Sequence, residues 1–238
     1  MASSLLWGAD PSLYDMCTFA AGFAGNLSAL VLFLSPIPTF RRIVRNRSTE
    51  LFSGLPYLYS LLNSLICLWY GLPFVSKGVP LVVTVNFIGA LFQLTYITLF
   101  ILFADNPKKK LKTCGLLMGV FALFALIAYF SLEMFSHGAR QAFVGYLSVA
   151  SLISMFASPL FIMNLVIRTR SVEFMPFHLS LATFLMSISF FAYGLLMEDL
   201  FIYFPNGIGS LLGALQLLLY AYYSKKSSKD LMLPVLVS

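Results

Sequence analysis

Two asparagines are the residues of this chain best equipped to bind a ligand. Asn86 opens the motif Asn86-Phe-Ile-Gly89, and Asn206 opens Asn206-Gly-Ile-Gly209, 120 positions later. A side-chain amide donates and accepts hydrogen bonds without carrying charge. Two such groups can bracket a neutral, hydroxyl-rich molecule, or each can clamp one helix to another. Nothing nearby equips the chain for covalent chemistry. There is no HExxH motif, and no serine–lysine or paired-aspartate arrangement in the apolar segments. Cys17, Cys67 and Cys114 form no CxxC or Cys/His cluster, so no metal and no cofactor is expected.

The asparagines need apolar elements to hold them, and the composition says which kind. The chain has 238 residues, 60% hydrophobic and only 10% charged. A soluble domain carries about 25% charged residues, so lipid is the solvent here. A membrane helix needs roughly 20 mostly apolar residues. Seven uncharged runs meet that need: Met16–Phe40, Leu51–Ser76, Gly78–Ala104, Thr113–Leu132, Gln141–Ile167, Phe174–Met197 and Leu200–Ser224. No Asp, Glu, Lys or Arg lies inside any of them. Proton- or sodium-coupled carriers place ionisable or oxygen-rich groups at the bilayer midplane, so transport here is expected to be uncoupled.

The charges between the runs set an orientation. Of the 15 Lys and Arg, thirteen fall in alternate loops. These are Arg41, Arg42, Arg45 and Arg47; Lys108, Lys109, Lys110 and Lys112; Arg168 and Arg170; and Lys225, Lys226 and Lys229. Only Lys77 and Arg140 lie on the other side. Positive loops stay cytosolic, which puts the N-terminus outside or in a lumen and the C-terminus in the cytosol. The net charge of +6 is then an orientation signal, scattered over short loops, and no nucleic-acid partner is expected.

The chain also repeats itself. RNRSTE begins at Arg45 and RTRSVE at Arg168, an offset of 123. Ser35-Pro36 returns as Ser158-Pro159 and Tyr70-Gly71 as Tyr193-Gly194 at the same offset. The asparagine motifs follow at 120, and Gly89-Ala-Leu-Phe-Gln93 echoes Gly213-Ala-Leu-Gln216. Two copies of a three-span unit can both face their charged hexapeptides to the cytosol only if a single span separates them. The expected fold is therefore an all-α membrane protein of seven transmembrane helices. A three-helix repeat at 14–104 and a parallel one at 141–224 are joined by an inversion linker helix at 113–132. A cytosolic tail occupies 225–238. Such duplication points to a transporter with its site between the repeats.

FLSPIPTFRRIVRNRSTELFSGLPY, SPLFIMNLVIRTRSVEFMPF, WYGLPF and PNGIGSLLGALQLLLY resemble the two repeats of the plant SWEET sugar transporters of the PQ-loop superfamily. The resemblance runs over roughly residues 17–224 and is nearest to the vacuolar-membrane branch. It implies a facilitative, bidirectional sugar uniporter, most simply for a hexose such as glucose, working as a homotrimer in the bilayer. By that resemblance Asn86, Asn206, Cys67 and Phe190 bind substrate. The family often has serine where Cys67 stands and tryptophan where Phe190 stands, which leaves sugar size open. Pro36, Pro56, Pro159 and Pro176 match the family's proline hinge at the inner gate. Read from the residues alone, they are equally kinks or helix starts. Tyr70 and Asp199, with Lys77, match the outer gate.

Three other readings compete. A different PQ-loop carrier, such as an amino-acid exporter, would be expected to carry an acidic residue in a span. A seven-span receptor would not need the duplication. An enzyme lacks its catalytic groups.

Overall fold

The computed structural model describes the backbone of residues 11–232 and the side chains of residues 12–224. Every regular element among them is an α-helix. These are α1 (Pro11–Leu34), α2 (Ile37–Asn46), α3 (Leu55–Gly71), α4 (Pro80–Leu102), α5 (Pro107–Met134), α6 (His137–Met155), α7 (Ala157–Thr169), α8 (Phe177–Leu196) and α9 (Leu200–Met232). They make seven rods, because α1 runs into α2 and α6 into α7 across short breaks. The breaks fall at Ser35-Pro36 and at Phe156, just before Ser158-Pro159. The fold is an all-α membrane protein with the 3 + 1 + 3 order.

Six rods are long and apolar enough to cross a bilayer. The seventh, α3, has 17 residues, about 26 Å of helix. It is shorter than its uncharged run for a local reason. Pro56 sits at its first turn, where a missing N–H is harmless. At the other end Leu72 precedes Pro73, which pushes it to an extended ψ of 148°. Proline starts other helices in the same way: Pro80 opens α4, Pro107 opens α5 and Pro176 caps α8. The backbone of α9 is helical to Met232, so the segment 225–238 begins as helix. The side chains of Lys225, Lys226 and Lys229 lie outside the described residues.

By contact the chain divides into two compact units, Met1–Leu32 with Leu152–Ser238, and Phe33–Ser151. The division falls inside the two broken rods. In the second unit an aromatic knot joins α2, α3 and α4. The Phe40 ring stacks on Tyr96 at 4.6 Å and meets Tyr57 edge-on at 5.1 Å. Ile43 and Phe100 complete that core, and Leu58, Leu61, Ala90 and Ile97 form another between α3 and α4. The linker helix α5 lies against α3. The Trp69 indole N–H donates to Ser131 Oγ at 3.0 Å, and Phe124 meets the same ring edge-on. Most of α5 is exposed, as suits a helix facing lipid on most sides.

In the first unit α8 and α9 pack closely. A Cβ on Gly194 would lie 2.5 Å from the Tyr203 backbone nitrogen, so only glycine allows this approach. Gly71 plays the same part in the other unit, where a Cβ would meet Val83 Cγ2 at 2.8 Å. The repeated tyrosine–glycine pair thus marks where the second helix of each repeat touches the third.

Candidate functional site

The candidate residues are shared between the units. Cys67, Tyr70, Lys77 and Asn86 lie in one, and Phe190, Asp199 and Asn206 in the other. Asn86 is half-buried on α4. Its Nδ2 donates to the Val82 carbonyl, one turn back in the same helix, at 2.9 Å. Asn206 repeats this on α9, donating to the Ile202 carbonyl at 2.8 Å. Among the described residues neither amide bonds to a neighbouring helix. The hook fixes each side chain against its own helix and leaves its Oδ1 and one N–H for another molecule. Pro205 interrupts the α9 hydrogen-bond ladder one residue before Asn206.

Each asparagine is followed three residues later by a glycine in a matching nest. A Cβ on Gly89 would meet the Phe33 ring at 2.9 Å and Ser64 Oγ at 3.1 Å. On Gly209 it would meet Ser187 Oγ at 2.8 Å and the Phe156 ring at 3.3 Å. Phe33 and Phe156, like Ser64 and Ser187, are 123 apart. Each repeat therefore joins an aromatic from its first rod, a serine from its second and a glycine from its third. Ser64 and Ser187 escaped the motif reading, although their offset was the signal that would have found them. The match also corrects one echo. Gly209, not Gly213, is the counterpart of Gly89, and Gly213 packs instead on the backbone of Phe184.

Cys67 is 5% exposed, and its thiol donates to Asn63 Oδ1 at 3.8 Å. Asn63 is another buried polar residue that the motif reading passed over. Phe190 is 6% exposed. Its ring lies edge-on to Tyr193 at 6.2 Å and presses on Gly25 of α1, where a Cβ would meet it at 2.7 Å.

Of the prolines, Pro36 stands in the α1–α2 break and Pro159 in the first turn of α7. Pro56 lies in the first turn of α3, and Pro176 caps α8. All four occupy places where no helical N–H is lost. At the opposite end of the rods Tyr70 is buried and its hydroxyl accepts from Gln141 Nε2 at 3.4 Å. Asp199 is 7% exposed and caps α9, accepting the Phe201 N–H at 3.0 Å. Lys77 is exposed. Arg140, a loop charge in the sequence, is a helix cap in the structure. Its guanidinium donates to the carbonyls of Ser131, Leu132 and Phe135 at the end of α5, and to that of Phe74.

The first charged hexapeptide is tied down. Arg42 forks onto Glu50 with Nε–Oε1 3.0 Å and Nη2–Oε2 2.6 Å, and Asn46 donates to the same carboxylate at 2.8 Å. Asp105 accepts from Thr49 N and Oγ1 at 3.0 Å each. Lys109 Nζ donates to Thr49 Oγ1 and the Glu50 carbonyl. Arg42 and then Asn46 hold the Glu50 carboxyl below its usual range. The Ser48 and Thr49 hydroxyls do the same for Asp105.

The duplication seen in these contacts is also the signature of a known family. A family model described as "Sugar efflux transporter for intercellular exchange" matches residues 19–108 and again 142–228. The matches begin 123 residues apart (142 − 19), the offset of the internal repeat. The chain belongs to this family. Its members are transporters of sugar and not enzymes, and this chain is a SWEET sugar transporter. It is 67% identical over 225 residues to the rice bidirectional sugar transporter SWEET2a, covering 94% of this chain and 92% of that protein. It is 59% identical over 216 residues to SWEET2 of Arabidopsis thaliana, covering 91% of each. A solved 3.7 Å structure of a eukaryotic SWEET transporter is similar with a TM-score of 0.88 and 64% identity. That likeness covers 90% of this chain and 99% of that one.

Proposed function

We propose that this transporter carries a hexose, glucose in the first place, in both directions and without ion coupling. The observation that carries the reading is the matched hook of Asn86 and Asn206. Each amide is held against its own helix with its oxygen unused, so two neutral acceptors and donors stand ready for hydroxyls. A clamp between helices would have spent those groups on a neighbour. The uncharged runs around them support the lack of coupling, since no Asp, Glu, Lys or Arg lies inside them and His178 stands only at the start of its run. Ser64, Ser187 and the Cys67–Asn63 pair supply further neutral polar groups near the same helices. Phe190, closed against Gly25 here, would offer its ring to a pyranose as α1 shifts.

Alternating access is assigned to the broken rods. Pro36 and Pro159 stand at their breaks, and Pro56 and Pro176 at the starts of α3 and α8, so bending there disrupts no ladder. The family resemblance assigns Tyr70, Asp199 and Lys77 to the opposite gate. The basic loops support a cytosolic C-terminus. The family resemblance supports the vacuolar membrane and a homotrimer. Fluorescent fusions test the first, and cross-linking in the membrane tests the second.

The test of transport is uptake of labelled glucose and sucrose into proteoliposomes, with and without a proton ionophore. Glucose flux insensitive to the ionophore and cut about tenfold in each of Asn86→Ala and Asn206→Ala is expected. Ionophore-sensitive flux would overturn the uncoupled reading. Full flux in both variants would return the asparagines to a structural role.

A further inference from the structure

One surface of the second unit carries a groove that the proposed sugar site does not use. This groove, of about 630 Å³, runs between α2 and α4. Its walls are Ile37, Val44, Leu91 and Leu99, and its floor is the aromatic knot of Phe40 and Tyr96. Tyr96 donates its hydroxyl to the Phe33 carbonyl at 2.6 Å, so the floor is a satisfied, fixed surface. The groove is preformed and needs no rearrangement to admit a chain. From Leu91 to Leu99 it follows about 12 Å of helix rise, most of one leaflet of a hydrocarbon core about 30 Å thick.

The mouth of the groove is basic. Arg41 and Arg45 line it, one turn apart on one face of α2. Both are exposed, and among the described residues neither has a hydrogen-bond or ion-pair partner. Their neighbour Arg42 is the contrast, since Glu50 neutralises it. Two unpaired guanidiniums over an apolar slot that ends at the membrane surface suit one ligand chemistry: a phosphate with a fatty tail. The counterpart in the other repeat lacks the pair, because Asn164 stands where Arg41 would be and only Arg168 remains.

We infer that the α2–α4 groove binds an anionic phospholipid of the leaflet at the basic end, its phosphate between Arg41 and Arg45 and an acyl chain along Leu91–Leu99. The long arginine stems lie on the apolar walls while their heads reach the phosphate. The inference uses the membrane-embedded fold and not the sugar chosen, so its failure leaves the transport reading untouched.

The test titrates delipidated full-length protein in neutral detergent with phosphatidylserine or phosphatidylcholine and counts bound lipid by native mass spectrometry. Phosphatidylserine is expected to bind in preference to phosphatidylcholine. Each arginine near a membrane surface contributes about fivefold to anionic lipid binding, so R41Q/R45Q is expected to bind about 30-fold more weakly. L91W and T95W, at exposed positions on the groove wall, fill the slot without touching the core and are expected to displace the lipid with both arginines intact. R168Q/R170Q removes two charges from the other repeat and is expected to bind within twofold of the parent. Equal binding of the two lipids would overturn the inference, as would an equal loss in R168Q/R170Q. Competition by glycerophosphoserine as effective as the whole lipid would make the site a phosphate site without a groove. A change in oligomer size on chromatography in L91W, with lipid binding intact, would make the groove a protein contact.

Discussion

The turn after α2 and the turn after α7 come from one duplicated hexapeptide and begin alike, although Glu50 stands at a φ of 45° and its counterpart Glu173 takes no positive φ. Arg47 and Arg170 both close their helices in the left-handed region, with φ of 48° and 53°. Ser48 and Ser171 each accept a hydrogen bond from the N–H two residues on, of Glu50 and Glu173. Beyond that shared serine, the described side chains around the two turns differ. Arg42 holds Glu50 to α2, while Asp105 and Lys109 bind Thr49 and the Glu50 carbonyl to the start of α5. At the places of Arg42 and Thr49 the second repeat has Leu165 and Val172. Thr169, in the place of Asn46, turns back onto its own helix at Leu165. Among the described residues no side chain bonds the Glu173 carboxylate. A hexapeptide can specify a turn because a turn is local. Anchoring depends on residues far away in sequence, and those diverged. In an alternating-access cycle the looser second turn is the one expected to move.

The comparison breaks most sharply at the tyrosine–glycine pairs. A Cβ on Gly194 meets backbone, which cannot yield, whereas one on Gly71 meets a valine methyl that can. Gly194→Ala is expected to destabilise by about 3 kcal/mol and Gly71→Ala by about 1 kcal/mol. Melting in detergent gives the order, and equal losses would erase the difference between the repeats. The asparagines come next. Losing one buried hydrogen-bond partner for substrate costs about tenfold, so Asn86→Ala and Asn206→Ala are each expected to cut glucose flux by that factor. Unequal losses would rank the two halves, and Pro205 beside Asn206 makes it the one to watch.

Smaller effects belong to the anchored turn. Asp105→Asn is expected to lower the melting temperature measurably, while Glu173→Gln leaves it unchanged. A drop in both would mean that the second turn has an anchor of its own. The smallest effect is in pH. Glu50 and Asp105 have carboxyls held below their usual range in the folded state. Their contribution is therefore fully present above the ordinary carboxylate range and is lost as pH falls through the lowered values. The Glu50→Gln/Asp105→Asn double variant is expected to show a shallower loss of melting temperature between pH 7 and acid than the parent. Parallel curves would show that other carboxylates carry the acid sensitivity.

How legible each feature was follows from how far its causes reach. The apolar runs were plain in the chain because a bilayer demands a minimum length of every span. Their ends were less plain. Leu51–Ser76 reads as one run, yet Gly54, Pro56 and Pro73 confine the helix to Leu55–Gly71. Asn86 and Asn206 stood out as a repeated motif. Ser64 and Ser187 did not, because one serine in an apolar helix has no distinguishing neighbours until a glycine from another helix faces it. Arg140 reads as a loop charge and becomes the cap of α5 only when four carbonyls converge on it.

The sequence by itself determined the all-helical membrane fold, the duplication with its linker helix, and the family. These follow from composition and from a fixed offset, which neither distance nor packing alters. Only the tertiary structure decided what each repeated residue does. It hooked the asparagines to their own helices, set Phe190 against Gly25, anchored one charged turn to α5 and left the Glu173 carboxylate of its twin without a side-chain partner among the described residues. The physical reason is that hydrogen bonds and close contacts depend on three-dimensional distance, and residues 60 or more positions apart, such as Thr49 and Lys109, meet only once the helices have packed.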